Sequence, residues 1–238
     1  MSRIARAKRF FLDLLFPLHC AGCGKEGMGF CDTCQALLTL IPPSCFVCKK
    51  LVPGIHGVPA GRTCMSCRKK SNIYSFFSPF FYDSAAVRTL IHDLKYRHIG
   101  DNAAILGAML YRAIAYHGVV LSQHALLVPI PLHKARERVR GFNQAHLIAQ
   151  TLGAKIGIPI ASDILLKTKK TPAQMALRRE VRLTNVAGAF AVSDTAEVRN
   201  RTIILLDDVK TTGATLEEAA KTLKSAGAKR VWAITVAH

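Results

Sequence analysis

Apolar positions recur along this chain at two periods. Over residues 84–96 they fall at Ala86, Val87, Leu90, Ile91 and Leu94, the three-and-four spacing of a helix face. Residues 102–116, 143–156 and 216–226 predict helices in the same way. Between them stand short apolar runs without alternation: ALLVPIP (125–131), residues 202–206 around IILL, and residues 230–236. Such runs predict strands buried on both faces. IYSFFSPFFY (73–82) reads as one or two strands broken near Pro79, and residues 164–166 and 187–192 are shorter candidates. Strands alternating with helices predict an α/β domain, a parallel sheet with helices on both faces.

The first 70 residues do not share that rhythm. Residues 1–17 begin basic, with Phe10, Phe11, Leu14 and Leu15 at helical spacing. Asp13 interrupts the apolar stretch, Pro17 ends it and no small-residue cleavage site follows, so a signal peptide is disfavoured. The segment predicts an amphipathic helix, either packed on the body or lying on a membrane surface. No stretch approaches the roughly 18 apolar residues of a membrane-crossing helix.

Residues 18–70 form a cysteine module punctuated by Gly22, Gly24, Pro42–Pro43 and Pro53–Gly54. All eight cysteines lie here as four C-x-x-C pairs: Cys20/Cys23, Cys31/Cys34, Cys45/Cys48 and Cys64/Cys67. Two cysteines three apart in a tight turn can aim both sulfurs at one tetrahedral ion, so four pairs predict two structural Zn²⁺ sites. A disulfide framework is the rival reading. It fits poorly with the long cysteine-free remainder, which reads as a reduced cytoplasmic protein. Sequential pairing of the knuckles (first with second, third with fourth) and a crossed arrangement are both open. A core this small needs its metals as staples.

Charge then narrows the partners. Lys and Arg number 33 against 15 acidic residues, a formal charge of +18. The cations cluster, for example over residues 134–140, 167–170 and 178–182. This balance favours polyanions, phosphates or nucleic acid.

The acidic exception is Asp207–Asp208, directly after the IILL run. Adjacent carboxylates at a buried strand's end are costly, so they call for a function. In parallel sheets ligands bind outside the carboxyl ends of strands. Thr211, Thr212, Gly213, Ala214 and Thr215 then lead into a helix, whose N-terminus and loop amides make an anion site. Thr215 and Glu218 have capping-box spacing, and Lys210 is expected to face water. A carboxylate pair that accepts two neighbouring hydroxyls, beside a phosphate cradle, matches a ribose 5-phosphate.

The string IILLDDVKTTGAT resembles the signature of the type I phosphoribosyltransferases. With the cysteine knuckles in front, the chain resembles the ComF (ComFC, GntX-like) family, in which a double zinc ribbon precedes a phosphoribosyltransferase domain. DLKYRHIGD (93–101), PIPLHKARERVRGFNQAHLIA (129–149) and KTPAQMALRREVRLTNVAGAF (170–190) carry the same resemblance. It implies a domain over residues 71–238 that binds 5-phosphoribosyl-1-pyrophosphate (PRPP) with Mg²⁺. Asp207 and Asp208 would meet the ribose diol and act in any catalysis, and Thr211 to Thr215 would hold the 5-phosphate. Lys95 would lie near the pyrophosphate, and Arg136, Arg138 and Arg140 would sit on a flexible loop with Gly141. Three functions follow from it: handling of single-stranded DNA during DNA uptake, phosphoribosyl transfer to a small acceptor, or a zinc-ribbon adaptor that docks another protein of the uptake machinery such as a helicase. No acceptor pocket or general base is evident, and His92 and His133 are expected to be structural.

Overall fold

The computed structural model describes residues 18–54, 58–97, 99–169 and 186–238. In chain order these form α1 (Asp32–Ala36), β1 (Ser75–Phe77), α2 (Ala85–Tyr96), α3 (Asp101–Tyr116), β2 (Leu126–Pro129), α4 (Lys134–Arg140), α5 (Gln144–Ile156), β3 (Leu165–Lys167), β4 (Phe190–Val192), α6 (Thr195–Val198), β5 (Thr202–Val209), α7 (Ala214–Ser225) and β6 (Arg230–Ala237). The expected N-terminal helix and most of the stretch 170–190 lie outside the described residues. Among the described residues no helix is long and apolar enough to cross a membrane.

The unbroken apolar runs do form a parallel sheet, in the order β1-β6-β5-β2. Alternation along β5 feeds two separate cores. Ile204 and Leu206 share one core with Leu90 of α2, Leu106 of α3 and Ile148 of α5. Ile203 and Leu205 face the other layer, with Leu216, Ala220 and Leu223 of α7. Helices on both faces therefore bury both sides of the sheet, which is why these strands carry no polar alternation. Strands β3 and β4 form an antiparallel pair beside this layer, contributing Leu165 and Phe190 to its core.

The cysteine module is joined to the sheet edge. Arg62 bridges Ser75 in antiparallel register, the Phe76 amide donates to the Gly61 carbonyl at 2.9 Å, and the Thr63 amide donates to the Tyr74 carbonyl at 2.9 Å. A Cβ on Gly61 would lie 1.9 Å from the Phe76 carbonyl oxygen, at φ +71°, so only glycine fits this approach.

Four expectations change. Strand β5 runs on to Val209, so both aspartates lie within the strand rather than after it. The Arg136–Arg140 stretch is a helix, not an open loop: the His133 ring accepts the Ala135 amide at 3.2 Å at its start, and Gly141 closes it in the left-handed conformation. Helix α7 starts at Ala214 after Gly213 at φ +83°, with no side-chain cap on that residue, so the Thr215/Glu218 capping box does not form. Glu218 instead accepts the Gly188 amide at 2.7 Å. Lys210 is buried, its ammonium 4.8 Å from the centre of the Phe46 ring and 5.2 Å from that of Phe76.

Candidate functional site

The acid pair sits at the carboxyl end of β5, between the two layers. Asp208 continues the register of Ile204 and Leu206 and is buried on the α2–α5 side. There it forms an ion pair with Lys95, near the end of α2, and accepts from the Gln144 amide at 3.5 Å. Asp207 is half-buried and turns its carboxylate back to accept the Asp208 backbone amide at 2.8 Å. The pair titrates unequally. Burial, then the Asp208 charge, pushes Asp207 well above the usual carboxylate range. Burial also acts against the Asp208 carboxylate, but the adjacent Lys95 ammonium outweighs it and holds Asp208 low. Lys95 is raised in turn, because Asp208 outweighs the effect of its own burial. One strong anion and one easily protonated carboxyl thus share the rim.

The loop from Lys210 to Gly213 follows at once. The Lys210 amide donates to the Ala237 carbonyl at 2.9 Å, which keeps the loop on the sheet, and the Thr212 hydroxyl accepts the Ala214 amide at 3.4 Å. Gly213 and Ala214 are buried, Thr212 and Thr215 half-buried, and Thr211 exposed. The loop therefore sets small and hydroxylated residues at the N-terminus of a twelve-residue helix, whose first amides favour an anion. Beneath it lies Phe46, from the turn between Cys45 and Cys48. Its ring packs edge-on against Phe76 at 5.3 Å, and a Cβ on Gly213 would come within 2.7 Å of it. The cysteine module thus forms the floor of the loop. Nearby His238 is lowered by burial and then by Lys210 and Lys49, which keeps it neutral beside those cations.

The predicted arginines divide. Arg136 and Arg140 are half-buried on one side of α4, whereas Arg138 is exposed on the other. Arg140 donates to Gln144 at 2.6 Å, and through Gln144 it is linked to Asp208. Burial lowers Arg140, against the pull of Asp208. A further cation, Lys167 of β3, entered the sequence analysis only as part of the basic cluster 167–170 and not as a site residue. Its ammonium lies 5.5 Å from the Phe190 ring centre; burial and Arg136 lower it, and Asp207 opposes them. Its place follows from the β3–β4 pairing, which spans residues far apart in the chain and leaves only a weak periodic signal. His133 caps α4, and His92 lies on Tyr96, with ring centres 4.8 Å apart.

The cysteines gather into two groups in sequential pairing: Cys20, Cys23, Cys31 and Cys34, then Cys45, Cys48, Cys64 and Cys67. In each group the ligand atoms lie within 4.8 Å of one another. A tetrahedral Zn²⁺ with Zn–S near 2.3 Å needs sulfurs about 3.8 Å apart. The Cys23–Cys31 and Cys48–Cys64 sulfurs are 3.8 Å and 3.7 Å apart. Backbone amides support the ligands: Cys31 donates to the Cys20 sulfur at 3.3 Å and Cys34 to the Cys31 sulfur at 3.4 Å. Burial disfavours the Cys20 thiolate, yet amides of Cys31, Cys23 and Gly22 bring that thiol down to about 6. Both groups can hold a metal ion, and together they fit a double zinc ribbon.

Residues 139–238 match the phosphoribosyl transferase domain family. Over 222 residues the chain is 29% identical to competence protein F of Haemophilus influenzae, covering 90% of this chain and 89% of that protein. It is 28% identical over 211 residues to the DNA utilization protein YhgH of Escherichia coli K12, covering 87% and 89%. A shorter match, 43% identical over 105 residues, is to competence protein ComFC of Bacillus subtilis and covers 44% of this chain and 40% of that one.

Proposed function

We propose that this chain, a member of the ComF family, handles single-stranded DNA and holds a phosphorylated ribose at the rim of its sheet. Residues 18–70 are its zinc-binding module and residues 71–238 its ligand-binding domain, working in the cytoplasm. The observation that carries this reading is the junction of Asp207 and Asp208 with the 210–213 loop and the α7 N-terminus. Asp207 and Asp208 take the ribose 2- and 3-hydroxyls, and the loop from Thr211 to Thr215 takes the 5-phosphate. Lys95, Arg136, Arg140 and Lys167 place positive charge around the acids, which suits the diphosphate of PRPP, whose oxygens would carry its Mg²⁺. Two Zn²⁺ ions fill the cysteine clusters and supply tetrahedral cross-links that fix the module's turns. The names of the relatives, competence and DNA utilization proteins, agree with a strand of DNA as the larger partner. The formal charge of +18 supports backbone contact along such a strand.

The test pairs two titrations. Wild-type protein and the Asp207→Asn/Asp208→Asn variant are titrated with PRPP and Mg²⁺, and both with a fluorescent oligothymidylate at several salt concentrations. The reading expects PRPP binding that the double variant loses. It also expects DNA binding that falls steeply with salt, and that Arg136→Ala weakens more, and leaves less steeply salt-dependent, than Arg138→Ala does. DNA binding that is absent or indifferent to salt overturns it. Acceptor-dependent release of pyrophosphate would instead favour a transferase, and a phenotype unaffected by the double variant would favour an adaptor.

A further inference from the structure

We propose that Tyr96, with His92 and Arg140 beside it, is a stacking platform for an unpaired nucleobase at the mouth of the carboxylate site. The inference rests on the DNA-handling reading and adds how a base, rather than the backbone, would be engaged.

Tyr96 ends α2 and is 51% exposed, although it is large and aromatic. It follows Lys95, which is ion-paired with Asp208. Two flat groups already meet its ring. The His92 imidazole, one helical turn earlier, lies 4.8 Å away at 43°, with its side chain 55% exposed. The Arg140 guanidinium is 5.8 Å from the ring centre. Arg140 is fixed by its 2.6 Å bond to Gln144, and Gln144 reaches Asp208. An exposed phenol and imidazole and a half-buried guanidinium thus form one patch, tied to Asp208 through Gln144 on one side and through Lys95 on the other.

A packing role would bury Tyr96, as it buries Leu90, Ile91 and Leu94 on the same helix. Bases of single strands stack on aromatic rings and on Arg guanidinium planes, with little regard to sequence. The same Arg140 can then contact the adjoining phosphate. The ligand class is an unpaired base of a DNA strand whose sugar-phosphate runs past Asp207 and Asp208.

The experiment uses the full-length, metal-loaded protein and two oligonucleotides of equal length, a thymidylate and an abasic one, each with a single 2-aminopurine in a parallel set. Tyr96→Ala is expected to weaken thymidylate binding about five- to a hundred-fold, the worth of a stacked base. Tyr96→Phe should bind within about two-fold of wild type, because the ring face is kept. The abasic strand should not distinguish the three proteins, and 2-aminopurine should be quenched by wild type and Tyr96→Phe only. The loss should be the same at low and high salt, unlike that of a phosphate contact. Equal losses on both strands, or no loss, overturn the platform while leaving DNA handling intact. A wild-type protein that binds neither strand overturns both.

Discussion

The contact between Phe46 and Gly213 can be tested by a double-mutant cycle. Gly213 stands at φ +83°, and an added Cβ would lie 2.7 Å from the Phe46 ring and 3.2 Å from the Lys210 Cε. Gly213→Ala therefore carries two costs. A left-handed alanine costs about 1–2 kcal/mol, and the overpacking against the ring about 1–3 kcal/mol more. Phe46→Ala empties a buried site between Phe76 and Lys210 and costs about 3–5 kcal/mol. In the double variant the left-handed cost stays and the overpacking goes, because the ring is absent. Its destabilisation should therefore fall short of the sum by about 1–3 kcal/mol, well outside the ~0.5 kcal/mol scatter of independent sites. Urea unfolding of the four proteins, each assayed for two bound metals, measures this. Ribose 5-phosphate titration on the same samples reads the loop directly: Gly213→Ala should bind more weakly, and Phe46→Ala should restore part of that loss. Additive destabilisation would mean that ring and loop do not touch, and the account of the module as the loop's floor would be wrong.

Other outcomes follow from the same geometry. Lys95→Met leaves the buried Asp208 without its cation and should cost about 3–5 kcal/mol at neutral pH. Lys95 holds Asp208 low when folded, so its contribution is fully present above the unfolded aspartate value of about 3.9 and is lost below it, as pH falls through the lower folded value; urea midpoints against pH should show a shallower acid limb in Lys95→Met. Asp207 is shifted the other way, so ribose 5-phosphate binding that needs its ionised form should strengthen as pH rises above the usual carboxylate range. Asp207→Asn should flatten that profile in calorimetric titrations. Chelation should remove two metal ions per chain, and Cys64→Ser should speed hydrogen exchange over residues 210–216, whereas Cys23→Ser, in the other cluster, should leave that loop unchanged.

The main elements were legible because their residues are periodic. Helix α2 shows its face at Val87, Leu90, Ile91 and Leu94, and β5 shows none because both its faces are buried. The acid pair and the cysteine groups were legible because their chemistry needs fixed spacing, and the structure selects the sequential cysteine pairing from the two that spacing allowed. Helix α4 was hidden for the converse reason. KARERVR has no apolar stripe, its Val139 is 87% exposed, and its limits are set by His133 and Gly141. Lys210 looked like a solvent-facing charge, since nothing in DDVKTTG reveals the two phenylalanine rings, one of them from the cysteine module, that enclose it. Phe46 itself lay in plain view between Cys45 and Cys48, but spacing tells where sulfurs point and not where the ring between them goes.

The pairing of β1 has a bearing on how the chain is made. Its two neighbours are β6, the last strand in the sequence, and the backbone of residues 61–63, just ahead of it. As the polypeptide leaves the ribosome, only the second of these exists when β1 emerges. Loading of the Cys45–Cys67 cluster at that moment would give β1 a ready template, and it would shield a hydrophobic edge for the whole interval before translation delivers its permanent partner.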